Sequence, residues 1–107
     1  MCGIAGCVNA DPRQKGDREL VQRMCDAITH RGPDAEGFHS GPQVCLGMRR
    51  LKVIDLMTGA QPMSDEHNRI HLVFNGEIYN FRELRDRLQA KGHQFKTQSD
   101  TEVIIHL

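Results

Sequence analysis

The N-terminal run Cys2-Gly3-Ile4-Ala5-Gly6-Cys7-Val8 is apolar and small throughout, and Asn9-Ala10-Asp11-Pro12 follows it. A run this short, ended by turn residues, reads as a buried β-strand. Gly3 and Gly6 mark a place where another part of the chain approaches the backbone closely. The rest of the chain must therefore supply both a sheet and the layer that covers it.

The remaining elements follow from local pattern. Asp17 can cap a helix over 18–29, with Leu20, Val21, Met24, Cys25 and Ile28 on one face at a period of about 3.6. His30-Arg31-Gly32-Pro33-Asp34 breaks that helix with a Gly-Pro turn flanked by opposite charges. Residues 36–40 and 43–48 read as strands joined around Gly41-Pro42, and Leu51–Leu56 is a further extended candidate. Gly59-Ala60-Gln61-Pro62 marks a loop, and Ile70–Phe74 a strand running into Asn75-Gly76.

Asn80 is placed to cap the next helix, whose apolar stripe is Phe81, Leu84 and Leu88. Gly92 stands where a left-handed C-terminal residue belongs. His93–Thr97 is expected as a short strand. Ser99 and Glu102 then form a capping box ahead of Val103, Ile104, Ile105 and Leu107. The sequence stops about two turns into that helix, which reads as a piece whose helix continues. The mix is α+β with antiparallel sheets.

Composition narrows the function classes. Fourteen Lys and Arg balance fourteen Asp and Glu, so no global field argues for nucleic acid or for a cationic partner. No apolar run nears the roughly 20 residues of a membrane span. No basic region precedes an apolar one as in a leader, so the cytoplasm is the expected compartment. The four cysteines, at 2, 7, 25 and 45, form no Cys-x-x-Cys pair. Cys7, Cys25 and Cys45 read as packed free thiols. The six histidines show no metal-ligand or triad spacing and are read as structural or surface groups.

Certain polar residues carry candidate chemistry. Cys2 becomes N-terminal if Met1 is removed, which leaves a thiol and an α-amine on one residue. That amine titrates near 7.7–8.0 and can serve as the base for the thiol. The plain alternative is a small residue that follows Met. Asn75-Gly76 at a strand end can aim a side-chain NH2 and a backbone N–H at one oxyanion, or can form an ordinary hairpin turn. Arg49 and Arg50 can grip a carboxylate by paired hydrogen bonds or lie solvated. Asp100 can cap a helix or hold an ammonium group. Together these are the parts needed to bind an amino acid and cleave its side-chain amide.

The ordered segments Met1–Gly6, His30–Asp34, Arg50–Asp55, Gly59–Met63, Asn75-Gly76-Glu77-Ile78-Tyr79-Asn80 and Ser99–Glu102 resemble the glutaminase domain of glutamine-dependent asparagine synthetases. The resemblance covers essentially the whole chain. It implies a class II, N-terminal-nucleophile amidotransferase with a four-layer αββα sandwich, here its N-terminal part, 1–107. It implies Cys2 as nucleophile and Asn75 and Gly76 as the oxyanion hole. It also implies Arg50 on the substrate α-carboxylate, Asp100 and Glu77 on its α-ammonium, and Leu51, Val53 and Ile54 along the pocket.

On this resemblance the substrate is glutamine, and no cofactor or metal is expected in this part. ATP and Mg belong to a C-terminal synthetase domain that uses the ammonia on aspartate. The full-length protein can be a homodimer. Two other readings stay open: an amidotransferase acting on another acceptor, and a non-hydrolysing binding module with this fold. A chain holding only part of each sheet is expected to be poorly stable alone.

Overall fold

In the computed structural model, residues 1–52 and 59–107 are described. The extended candidate over 51–56 falls mostly outside them, as do Val53 and Ile54. Strands β1 (Gly3–Val8), β2 (Ala35–Ser40) and β3 (Val44–Arg50) form an antiparallel sheet in the order β1-β3-β2. Gly3 pairs with Arg49 and Val8 with Val44, while Ala35 pairs with Arg50 and Ser40 with Cys45.

Helix α1 (Arg18–Ala27) covers one face of this sheet. Its cap is the expected one, with the Leu20 N–H donating to Asp17 Oδ1 at 2.8 Å. The buried face is narrower than the sequence suggests. Val21 and Cys25 are fully buried, but Leu20 and Met24 are more than a third exposed. Val21, Cys25 and Cys45 form a core cluster, with Ala5, Cys7 and Phe38 packed around it. Ile28 fills the space beside Gly3, where an added Cβ would lie 2.7 Å from Ile28 Cδ1. All four cysteines are free thiols. Burial pushes the Cys25 thiol up from its ordinary pKa, so it packs as an inert apolar group.

Strands β4 (Met63–Ser64) and β5 (His71–Leu72) form a second antiparallel pair. It meets the first sheet through stacked rings, His39 of β2 on His71 of β5, with centroids 3.4 Å apart. Helix α3 (Glu102–His106) packs on β4, and α2 (Phe81–Ala90) packs on α3. The fold is α+β, and its contacts run helix, sheet, sheet, helix.

Certain expected elements contract, for one physical reason. The strand over 70–74 pairs only at His71 and Leu72. The Ile70 N–H instead donates to Asp65 Oδ1 at 3.0 Å, and the Phe74 N–H to Gln61 Oε1 at 2.6 Å. No strand forms over 93–97, because the Lys96 and Thr97 N–H groups both donate to the Glu102 carboxylate. Glu102 therefore reaches back past Ser99, whose own N–H goes to Thr97 Oγ1, and the expected capping box is not made. Nor does Asn80 cap α2 through its side chain. Over 70–74 and 93–99 a side-chain acceptor has taken a backbone donor that a ladder or cap would otherwise use.

The C-terminus of α2 matches expectation. Gly92 has φ of +95°, its N–H donates to the Gln89 carbonyl, and the His93 N–H donates to the Leu88 carbonyl. This double closure is the Schellman arrangement, which needs a residue without Cβ strain at Gly92.

Candidate active site

Strand β3 carries two adjacent arginines, and the pleat sends them to opposite faces. Arg49 is 9% exposed. Its Nε donates to the Gly32 carbonyl at 3.0 Å, and its Nη1 pairs at 2.7 Å with Glu36, directly across on β2. Arg49 thus fastens the 29–34 turn to the sheet and is not a substrate group. Arg50 lines a cleft on the other face, together with Met48.

That cleft has a volume of about 590 Å³, within the usual range of small-molecule sites. Cys2, Arg50, Asn75, Gly76, Glu77 and Asp100 all line it, and Leu51 does so too. Residues 2, 50, 75 and 100 are far apart in sequence, and the fold brings them to one cleft. Of the sequence-predicted site residues, only Val53 and Ile54 lie outside the described residues.

The Cys2 thiol is half-buried. Its Sγ accepts from the Leu51 N–H at 3.4 Å and lies 3.9 Å from the Leu51 carbonyl. The Cys2 carbonyl accepts twice, from Arg31 Nε at 3.2 Å and from Asn75 Nδ2 at 3.1 Å. Cys2 is thus held by the turn after α1 on one side and by the segment after β5 on the other. An Asn amide has two N–H groups, so the bond to Cys2 commits one of them.

Gly76 lies under the Phe74 ring. An added Cβ would sit 2.6 Å from the ring's Cζ, so a side chain here would displace the Phe74 ring. No strand follows among the described residues before α2, so Asn75-Gly76 is not a hairpin turn here. Asp100 Oδ2 accepts from the Ile78 N–H at 2.8 Å and pins the segment that carries Glu77. The cleft presents a guanidinium and two carboxylates, a charge set suited to a zwitterion.

Sequence reasoning missed the roles of Arg31 and Gln61. Arg31 read as one half of a charged turn, and only the fold shows its Nε on the Cys2 carbonyl. Gln61 read as a loop residue, yet its side chain holds the backbone just ahead of Asn75. Asp34 behaves similarly, accepting from the Lys52 N–H at 2.8 Å and shaping the exit of β3.

A family model for the glutamine amidotransferase domain matches residues 1–107. The chain belongs to this family. Among curated relatives, this amidotransferase sequence is 48% identical over 107 residues to glutamine-hydrolysing asparagine synthetase 1 of Bacillus subtilis, covering 98% of the chain and 17% of that relative. It is 47% identical to asparagine synthetase 2 of the same organism, over all of the chain and 14% of the relative. Asparagine synthetase 1 of Arabidopsis thaliana is 42% identical over the whole chain and 18% of its own length. The chain thus spans less than a fifth of the length of these relatives. No described helix is long and apolar enough to cross a membrane.

Proposed function

We propose that the cleft hydrolyses glutamine to glutamate and ammonia, with Cys2 as the nucleophile. The observation that carries this reading is the convergence of the Cys2 thiol, Arg50, Asn75-Gly76 and Asp100 on one cleft in a glutamine amidotransferase chain. Met1 is 76% exposed, which supports its removal to free the Cys2 α-amine.

The α-amine takes the thiol proton, and the thiolate attacks the side-chain amide carbon of glutamine. Asn75 keeps one N–H for the resulting oxyanion, and the Gly76 N–H supplies a second donor. Collapse breaks the carbon–nitrogen bond, and the α-ammonium returns its proton to the departing ammonia. Water then attacks the glutamyl thioester, the amine again accepting a proton, and releases glutamate and the thiol. Arg50 grips the substrate α-carboxylate while Asp100 and Glu77 hold its α-ammonium. Leu51 contributes to the pocket wall.

The Leu51 N–H, a donor 3.4 Å from Sγ, holds the Cys2 side chain at the cleft. The relatives' names, glutamine-hydrolysing asparagine synthetase, support delivery of the ammonia to asparagine synthesis in the remainder of a longer protein. ATP and Mg would bind there, and no step of the hydrolysis involves them. The test is glutamate release from glutamine by the protein and by its Cys2→Ala variant. Equal release by the two would remove the mechanism, and an intact mass retaining Met1 in active protein would remove the α-amine as base.

A further inference from the structure

At the C-terminal end of α3, three side chains from separate segments meet. Glu66 comes from the β4–β5 connection, His93 from the turn that closes α2, and His106 from the last turn of α3. Glu66 Oε2 is 3.1 Å from His106 Nδ1, and Glu66 Oε1 is 3.8 Å from His93 Nδ1. One ligand atom from each residue lies within 4.8 Å of the other two, a grouping found nowhere else among the described residues.

The burial is uneven in an informative way. The His106 side chain is 3% exposed, while those of His93 and Glu66 are 36% and 26% exposed. His106 Nε2 is buried and has no hydrogen-bond partner. It lies 3.6 Å from Oε1 of Glu102, a carboxylate that is itself 4% exposed. A buried imidazole with an unsatisfied nitrogen is costly unless something fixes its proton on that nitrogen and draws it to the carboxylate.

The geometry points to a divalent transition-metal site of the zinc class, ligated by Glu66, His93 and His106. A metal on Nδ1 of His106 leaves the ring proton on Nε2, facing Glu102. That is the carboxylate–histidine–metal relay by which metal sites orient a ligand ring. Ligand bonds of about 2.0–2.2 Å in a tetrahedron set donor–donor edges near 3.4 Å. The 3.1 and 3.8 Å separations are to the two different Glu66 oxygens, and one ligand atom from each residue lies within 4.8 Å of the others, so the side chains would draw together by up to about an ångström to bind one ion. Two imidazoles and one carboxylate favour zinc or cobalt over Mg and Ca, which prefer all-oxygen sets. The exposed edges of His93 and Glu66 leave the fourth position to water.

The ion would tie the β4–β5 pair, the end of α2 and α3 at one point. Asp100 and Thr101, which enter α3, line the cleft, so the tie would also hold the helix that these cleft residues lead into. This assignment is independent of the chemistry proposed for Cys2.

The test uses the intact protein carrying Cys2→Ser, which removes the thiolate in the cleft as a competing ligand. The protein is stripped with EDTA, equilibrated with zinc ion, and its metal content measured. It is then compared with the same protein carrying His93→Gln or Glu66→Gln. Both positions are partly exposed, and circular dichroism confirms folding. The expected result is one zinc fewer per chain in each variant. Cobalt(II) substituted for zinc should give visible absorption of a tetrahedral centre that both substitutions abolish. Equal zinc content and an unchanged cobalt spectrum in the variants would overturn the site. So would no zinc retained by the Cys2→Ser protein, which would leave a hydrogen-bonded Glu–His pair and no ion.

Discussion

The Gln61 side chain offers the sharpest perturbation of the cleft that leaves every proposed reacting group in place. Its Oε1 accepts from the Phe74 N–H at 2.6 Å. The Phe74 ring lies on Gly76, and Asn75 between them reaches the Cys2 carbonyl. Replacing Gln61 with Met keeps the length of the side chain and removes the acceptor. A buried donor left without a partner costs about 1–3 kcal/mol, and the half-buried setting here favours the lower end. An N–H unpaired in free enzyme and transition state alike lowers the melting midpoint and leaves kcat/KM unaffected, whereas kcat/KM falls about tenfold for each 1.4 kcal/mol by which the proposed oxyanion donors weaken. The 74–76 segment can instead shift to rehydrate the N–H, and the loss then comes from misaligned oxyanion donors.

The assay is glutamate release over a range of glutamine concentrations, alongside thermal melting. Gln61→Glu is the matched control, because it retains a carbonyl-type acceptor at the same reach and should hold the melting midpoint. Wild-type kcat/KM together with a wild-type midpoint in Gln61→Met would refute the idea that this hydrogen bond positions Asn75 and Gly76.

Two further outcomes follow from other parts of the fold. Burial, and secondarily the neighbouring His71 ring, hold His39 below its ordinary pKa of 6.5. The unfolded chain therefore binds that proton first as pH falls, and stability should drop on acidification from about pH 6.5 toward the lower folded-state value. His39→Gln should flatten that limb of the denaturation-midpoint curve, and an unchanged slope would exclude the stacked pair as its source. Gly92→Ala meets no atom within 4 Å, so its cost is purely that of a Cβ at φ of +95°. A loss of about 1–2 kcal/mol in chemical denaturation is expected, and a neutral result would show that the turn relaxes.

The parts of the fold legible in the sequence were those set by period and by local backbone demands. The β1 run, the Asp17 cap, the Gly41-Pro42 connection and Gly92 all declare themselves within a few residues. The failures share a cause. Ile70–Phe74 and His93–Thr97 have strand-like composition, but Asp65, Gln61 and Glu102 capture their N–H groups from outside the segment. Composition within a window cannot register an acceptor that sits five to thirteen residues away. The site shows the same division. Cys2, Asn75 and Asp100 were recognisable by residue type and order. Arg31 acts through a contact spanning 29 positions, and the three-residue meeting at His106 depends on how α3 packs against β4.

The opposite orientation of Arg49 and Arg50 bears on how this chain can change over time. A one-residue slip of β3 between its neighbours would exchange the faces of the two arginines. The guanidinium that anchors the 29–34 turn would then enter the cleft, and the one lining the cleft would lie under α1 opposite Glu36. Side-chain identity would be unaltered, yet both tasks would fail at once. Single-residue insertions and deletions between Ser40 and Arg50 should therefore be far less tolerated than substitutions at the same positions, and loop-length change should accumulate elsewhere in the molecule.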